Sequence, residues 1–321
     1  MKNCKICKSE SKLLYKDIKD DRYGYPGNFS IYQCQNCNFG QIDSWLSEKK
    51  YDELYTKYYP RKKINPENVK KTAKVKVNKI RKTIWWLLGK NNQCHFKIKP
   101  QKKVLDIGCG DGRSLLEIAA QGSEAYGSEK DANVKKIAEK LNLKIHFGDI
   151  DTLPHPDEFF NFITMNQLIE HVPNPINFLY EVSKKLKPGG KIILSTPNIE
   201  SYNCQRSKRK WINWHVPYHQ NFFSKESLNI LAENTKLKLI KVVTITPTIW
   251  TILQNLSNEK NNIGFYVRSE KETILLFLRR IGIKKSVKII KAHLFAYFSI
   301  PFRRIIDKQK KGDSFLVILQ K

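Results

Sequence analysis

Four of the seven cysteines form two pairs, Cys4-x-x-Cys7 and Cys34-x-x-Cys37, with 26 residues between them. Each C-x-x-C turn offers two thiolates a few ångströms apart, and two turns together supply the four soft ligands of a tetrahedral zinc site. Asn38, after the second pair, tolerates the left-handed conformation that aims backbone N–H groups at the sulfurs, and Gly40 adds slack. A redox site needs one C-x-x-C inside a βαβ pattern, which neither pair has. The doubled spacing favours a structural zinc ribbon over four unrelated thiols. Such a site is closed, so it holds the fold and does not catalyse.

A different chemistry is written in Val104-Leu105-Asp106-Ile107-Gly108-Cys109-Gly110-Asp111-Gly112, where a strand runs into a glycine-rich turn. Glycines there permit a tight turn and close approach of the backbone to a ligand. A dinucleotide fingerprint would place Gly or Ala at 113, where Arg113 stands, and would avoid a carboxylate beside the pyrophosphate. Asp106 suits a ligand carrying a positive amino group. Two histidines have the right chemistry for proton transfer. His171 lies just past an apolar segment that reads as a strand, and His219 sits in the run His215-Val216-Pro217-Tyr218-His219-Gln220-Asn221-Phe222-Phe223-Ser224. For each, a packed structural histidine is the competing reading. The thiols of Cys109 and Cys204 read as small packing groups, since nothing pairs either with a base.

The elements that must position these residues follow a regular alternation. Segments 103–107, 124–128, 144–147, 159–165, 191–195, 237–246 and 314–319 read as strands. Segments 111–121, 132–141, 175–186 and 224–234 read as helices, the last capped by Ser224. This order predicts a doubly wound, mostly parallel seven-stranded α/β sheet with helices on both faces. A small zinc ribbon precedes it, and a helical insertion comes before the last strand. The divisions expected are 1–45 (ribbon), 46–100 (a Tyr- and Lys-rich linker and a basic amphipathic helix), 101–249 with 312–321 (the α/β domain) and 250–311 (the insertion). In the second of these, Ala73, Val77, Ile80, Ile84 and Leu88 predict one helix over 68–88, either packed on the next domain or facing a membrane.

The charge is segmental. Of a net +28, residues 61–92 carry +10 and 268–311 carry another +10, while 104–260 carry only +2. A polyanion-binding protein usually spreads its basic surface over the working face, so nucleic acid is not the favoured partner. Thr273–Leu278 is apolar with Arg279-Arg280 behind it, and Ala292–Phe302 is an apolar run between Lys284, Lys285, Lys288 and Lys291 on one side and Arg303 and Arg304 on the other; neither run is long enough to span a bilayer. They read as peripheral contact with an anionic membrane, or as a pocket lid or dimer contact. The start of the chain has no apolar leader, which places the expected site of action in the cytoplasm, peripheral on the inner face of the membrane.

Five motifs in order resemble the class I S-adenosylmethionine-dependent methyltransferases: Asp106 to Gly112, Glu129, Gly148-Asp149-Ile150, Asn166 to Pro175, and Lys187-Pro188-Gly189-Gly190. The likeness covers about residues 100–249 and the final strand. It implies S-adenosylmethionine held by Asp106, Gly108, Cys109, Gly110, Gly112, Glu129, Asp149, Ile150 and Asn166, with Glu129 on the ribose hydroxyls. It also implies His219, His171 and Tyr218 on the acceptor side, with His219 as base. Ubiquinone-biosynthesis O-methyltransferases have a Glu where Gln167 stands, which leaves only Glu170 and His171 of a divalent-metal set. Two ligands make a poor hard-cation site, so no catalytic metal is expected. Zinc-ribbon-bearing sugar methyltransferases are a further likeness, and the expected acceptor is a small molecule, a sugar or a lipid-linked saccharide. The rivals are an RNA methyltransferase, against which stands the absence of an Asn-Pro-Pro-Tyr motif after the fourth strand, and a non-catalytic cofactor-binding scaffold.

Overall fold

The computed structural model describes residues 2–43, 46, 50, 53–58, 65–73, 78–89, 93–257 and 283–321. The N-terminal strands β1 (Lys2–Asn3), β2 (Glu10–Ile18), β3 (Phe29–Cys34) and β4 (Gly40–Ile42) form an antiparallel sheet. The remaining strands are β5 (Lys103–Ile107), β6 (Glu124–Glu129), β7 (Ile145–Phe147), β8 (Phe160–Asn166), β9 (Leu186–Pro197), β10 (Asn221–Phe222), β11 (Lys238–Ile245) and β12 (Ser314–Gln320). Seven of these make one sheet in the order β11-β12-β9-β8-β5-β6-β7. From β9 to β7 all neighbours are parallel, and β12 runs antiparallel between β9 and β11.

The helices are α1 (Pro66–Thr72), α2 (Lys79–Leu87), α3 (Arg113–Ala119), α4 (Lys135–Lys140), α5 (Pro175–Lys184), α6 (Tyr202–Ser207), α7 (Lys225–Asn234), α8 (Thr248–Ser257), α9 (Ile283–Phe298) and α10 (Ile300–Lys308). Alternation along the strands sends side chains into two cores. Leu105, Ile192, Leu194, Phe315 and Val317 meet Leu179 and Val182 of α5 and Leu228 and Leu231 of α7. Val104, Phe162, Ile193 and Leu316 meet Leu115 and Ile118 of α3 on the other face. A strand stretch buried on both sides must be apolar or small at nearly every position, as Phe162–Met165 of β8 and Ile192–Leu194 of β9 are. Each fully buried Leu or Ile contributes roughly 1.5–3 kcal/mol. The fold is the doubly wound sheet that the pattern predicts.

Two boundaries differ from the sequence reading. The single helix expected over 68–88 is two helices. Ala73 takes an extended backbone after α1, and the side chain of Asn78 caps α2 by accepting from Arg81 N–H. Within the apolar stripe Ile80 and Ile84 are exposed, where a packed helix would turn them inward. Strand β9 begins at Leu186, ahead of the Pro188-Gly189-Gly190 turn, because Leu186 already pairs with Phe160 before a register shift. The apolar segment Thr273–Leu278 lies outside the described residues.

Strand β10 belongs to the loop after β9, yet it joins the N-terminal sheet: Asn221 pairs with Gln41 and Phe222 with Gly40 of β4. Gly40 is required here, since a Cβ would come within 2.8 Å of Ile199 Cδ1 and 3.0 Å of Phe222 Cβ. The two modules share a further core in which Ile31, Ile42 and Leu54 pack with Trp211, Trp214, Tyr218 and Phe222. Among the described residues no helix is long and apolar enough to cross a membrane.

Candidate functional site

The two C-x-x-C turns are near-copies of each other. Cys4 N–H bonds Ser9 O and Cys34 N–H bonds Phe39 O, both at 2.8 Å, while Lys8 and Asn38 donate back to the carbonyls of Cys4 and Cys34. Asn38 has φ 57° as its type suggests, and Lys8 has φ 66° at the matching place in the first turn. The four sulfurs lie within 4.8 Å of one another, with Cys4 Sγ to Cys37 Sγ at 3.6 Å and Cys7 Sγ to Cys34 Sγ at 3.4 Å. A regular tetrahedron with metal–sulfur bonds of about 2.3 Å has edges of about 3.8 Å. Backbone N–H groups of Asn36 and Cys37 point at Cys34 Sγ. The arrangement is compatible with a zinc ribbon.

At the carboxyl ends of β5 and β6, Gly108, Gly110 and Gly112 all have positive φ. A Cβ at Gly110 would meet nothing within 4 Å, so the turn opens on clear space where a ligand can approach the backbone. Glu129, at the end of β6, accepts from the N–H groups of Gly110, Lys130 and Asp131 at 2.8–2.9 Å. These bonds pin its carboxylate beside the turn, and an ionised carboxylate has about four acceptor sites, so capacity remains. Asp106 is buried at the end of β5, and the hydroxyls of Ser114 and Thr164 each donate to one of its oxygens. Burial pushes its carboxyl upward, above the usual range.

The other positions named from sequence surround this turn. Asp149 pairs with Lys130 across the ends of β6 and β7. Ile150 packs into the larger core. The Cys109 thiol is buried against Gly127, where a Cβ would come within 2.7 Å of Sγ. Asn166 Oδ1 accepts from Cys94 N–H at 2.8 Å, tying the short turn Cys94–Lys97 to the end of β8.

The histidines form a second cluster. His171 Nδ1 lies 2.9 Å from Tyr218 O and His219 Nδ1 lies 2.8 Å from Asn213 O. A carbonyl can only accept, so both Nδ1 atoms carry the proton and both Nε2 atoms present lone pairs. The two rings meet edge to face at 4.7 Å, and His215 stacks on Tyr218 at 4.7 Å. Burial holds His171 down to about 4, and His215 and His219 well below the usual imidazole range. Glu170 is fully buried, and desolvation outweighs the nearby Thr196 hydroxyl and its own backbone N–H and raises its carboxyl to about 8. Ligand atoms of Glu170, His171 and His219 lie within 4.8 Å of one another. Where the sequence offered two metal ligands the fold supplies a third, from a loop 48 residues further on.

The N-terminal module holds this cluster in place. Gln220 N–H donates to Glu170 O, and Asn221 Nδ2 donates to Ile169 O and Val172 O. Ser224, which caps α7, sends its hydroxyl to Cys37 O. Tyr55 Oη lies 3.1 Å from His171 Nδ1, and the Tyr23 ring packs on His215 and Tyr218. Neither tyrosine was found from sequence, because no spacing marks a side chain that arrives from another module. The same is true of His95, whose Nε2 lies 2.6 Å from Glu117 Oε2 in the α/β core. Leu168 joins the two half-sites: its Cδ1 would lie 3.0 Å from a Cβ on Gly108, two residues before Glu170.

Residues 87–242 match the family model described as a methyltransferase domain. The match covers the parallel part of the sheet and the loop that carries the histidines. The chain is 27% identical over 140 residues to a demethylmenaquinone methyltransferase of Lysinibacillus sphaericus, covering 41% of this chain and 60% of that protein. It is 28% identical over 153 residues to a ubiquinone biosynthesis O-methyltransferase of Coxiella burnetii, covering 42% and 65%. The chain thus spans less than two thirds of the length of these curated relatives. A solved S-adenosylmethionine-dependent methyltransferase of Archaeoglobus fulgidus aligns with a TM-score of 0.43 at 18% identity, covering 86% of this chain and 100% of that one.

Proposed function

We propose that the protein transfers a methyl group from S-adenosylmethionine to a small-molecule acceptor, a sugar or a lipid-linked saccharide. The observation that carries this reading is the adjacency of two half-sites at one sheet edge: an open left-handed glycine turn pinned by Glu129, and, across Leu168, a buried cluster of imidazoles with Nε2 lone pairs. Gly108, Gly110, Gly112 and Glu129 would hold the cofactor, with Asp149, Ile150 and Asn166 around it. When bound, the cofactor supplies an electrophilic methyl on a sulfonium.

The protein's part is to orient and to move one proton. In-line displacement at carbon gains most from positioning, and a base is needed only to release the acceptor's lone pair. His219 presents Nε2 as that base, its Nδ1 proton fixed on Asn213 O. Tyr218 and His171 shape the acceptor side, and Tyr23 and Tyr55 close it. Zinc in the four-cysteine ribbon would carry no step; it would keep β4, and through it β10 and the histidine loop, in register.

The test is transfer of label from methyl-labelled S-adenosylmethionine into fractionated cell extract. Label is expected in a saccharide-containing fraction with the intact protein. With His219→Ala, turnover should fall by roughly 10²–10⁴ while cofactor affinity stays unchanged, because a base acts in the transition state. Undiminished turnover in that variant would remove His219 from the mechanism.

A further inference from the structure

The two strongly basic stretches of the sequence, 61–92 and 268–311, flank the α/β domain in the chain, yet their described parts meet at one joint. Arg304 donates to Trp86 O at the end of α2 and its guanidinium lies over the Trp86 ring. Thr248, the first residue of α8, donates its hydroxyl to Leu88 O. Gly89, at φ +64°, lies so close that a Cβ would reach 2.5 Å from Thr246 O. Arg303 and Arg304 both donate to Thr246 O as well, so these two cations are spent inside the joint. Helices α2, α8 and α10 therefore form one unit, with α9 packed on α8 through Ala292 and Ala296 against Ile252 and Leu256.

The outer side of this unit is apolar. On α9, Val287, Ile290, Leu294 and Phe298 fall within about 80° of arc at 3.6 residues per turn, opposite the packed alanines. They are 44%, 52%, 52% and 81% exposed. Ile80, Ile84 and Leu87 on α2 and Phe302 and Ile305 on α10 are exposed too. Lys284 and Lys291 border the α9 stripe and Lys288 lies nearby, all exposed. Helix α9 has no acidic residue, and the one on α10, Asp307, is buried in an ion pair with Arg304.

Charge complementarity selects the occupant. A second copy of this face would set lysine against lysine. A polynucleotide would neutralise the lysines and leave the stripe in water. An anionic lipid surface takes both, the stripe at the headgroup–acyl boundary and the lysines at the phosphates. We propose that α2 and the α8–α10 unit form one docking face for an anionic lipid bilayer, entered by the outward stripe of α9. The inference goes beyond methyl transfer and does not depend on it.

Co-sedimentation of the full chain with phosphatidylcholine vesicles, with and without phosphatidylglycerol, is the test. Binding is expected to the anionic vesicles at low salt, weakening as salt is raised. Leu294→Asp with Phe298→Asp should lower partitioning by about tenfold or more, since each apolar group buried at the interface is worth about that factor. Leu13→Asp, an exposed apolar residue in the N-terminal module, should leave it unchanged, and melting curves check that all variants fold. The proposal is overturned if intact protein stays in the supernatant, if the stripe variant binds like the parent, or if neutral vesicles bind equally well at every salt. It is also overturned if the parent is a dimer that the stripe variant dissociates, or if polyuridylate binding is retained by both proteins while vesicle binding is absent. Methyl transfer is not a readout here, so failure would leave the proposed reaction untouched.

Discussion

Glu170 shows how much a single residue's role depends on its surroundings. Its carboxyl is fully buried and is raised to about 8 by desolvation, which outweighs the Thr196 hydroxyl and its own backbone N–H. The folded protein thus holds a proton that the unfolded chain releases near the ordinary carboxylate value of 4.5. Between these two values the folded state binds more protons, so its stability falls as pH rises. Glu170→Gln keeps the shape and removes the titration. Melting the two proteins from about pH 5 to pH 8 should show the parent losing stability relative to the variant, by on the order of 1 kcal/mol per pH unit. Parallel curves would mean that the carboxyl is not held as a buried acid. The sequence displayed Glu170-His171 as a pair of potential ligands. It could not display the third member, because His219 comes from a loop whose path is set by another module. Asp106 gains partners in the same way: the hydroxyls of Ser114 and Thr164, invisible as partners in a linear reading, donate to its two oxygens.

At the scale of elements, what could be read was what repeats. The strands of the large sheet, the Ser224 cap and the two cysteine turns all follow local patterns, and the structure has them. The helix over 68–88 failed because periodicity registers a stripe but not an interruption, here the extended Ala73 and the new cap at Asn78. The pairing of β10 with β4 was hidden for a related reason: two residues of strand have no period. That pairing links the cysteine cluster to the histidine loop, through Ser224 Oγ to Cys37 O and Asn221 to the turn after β8. Elemental analysis should find one zinc per chain. Cys34→Ser should release it, lower the melting temperature, and speed amide exchange across 213–224, since an open coordination position forfeits folding energy. His219→Ala should leave the zinc content at one. A folded parent without zinc would remove the ribbon from the account, and a second equivalent lost with His219→Ala would turn the base into a metal ligand.

The molecule as a whole is a doubly wound α/β domain joined to an N-terminal four-cysteine module and carrying a basic, apolar helical unit. The domain class was legible because a buried parallel sheet imposes its pattern on most of its residues, and because ligand turns sit at the ends of its strands. The acceptor was not, because the side chains that would face it come from three separate segments: the β2–β3 loop with Tyr23, the turn bearing Tyr55, and the loop from 211 to 224. The central claim is that the glycine turn and Glu129 hold S-adenosylmethionine, and titration calorimetry on the full chain tests it most directly. Glu129→Gln keeps a similar shape and loses the charge; Glu129→Ala loses both. The account predicts saturable binding by the parent, a loss on the order of 2–3 kcal/mol in Glu129→Ala for two charge-assisted bonds, and a smaller loss in Glu129→Gln. Absence of binding by the folded parent, or equal affinity in all three proteins, would contradict it.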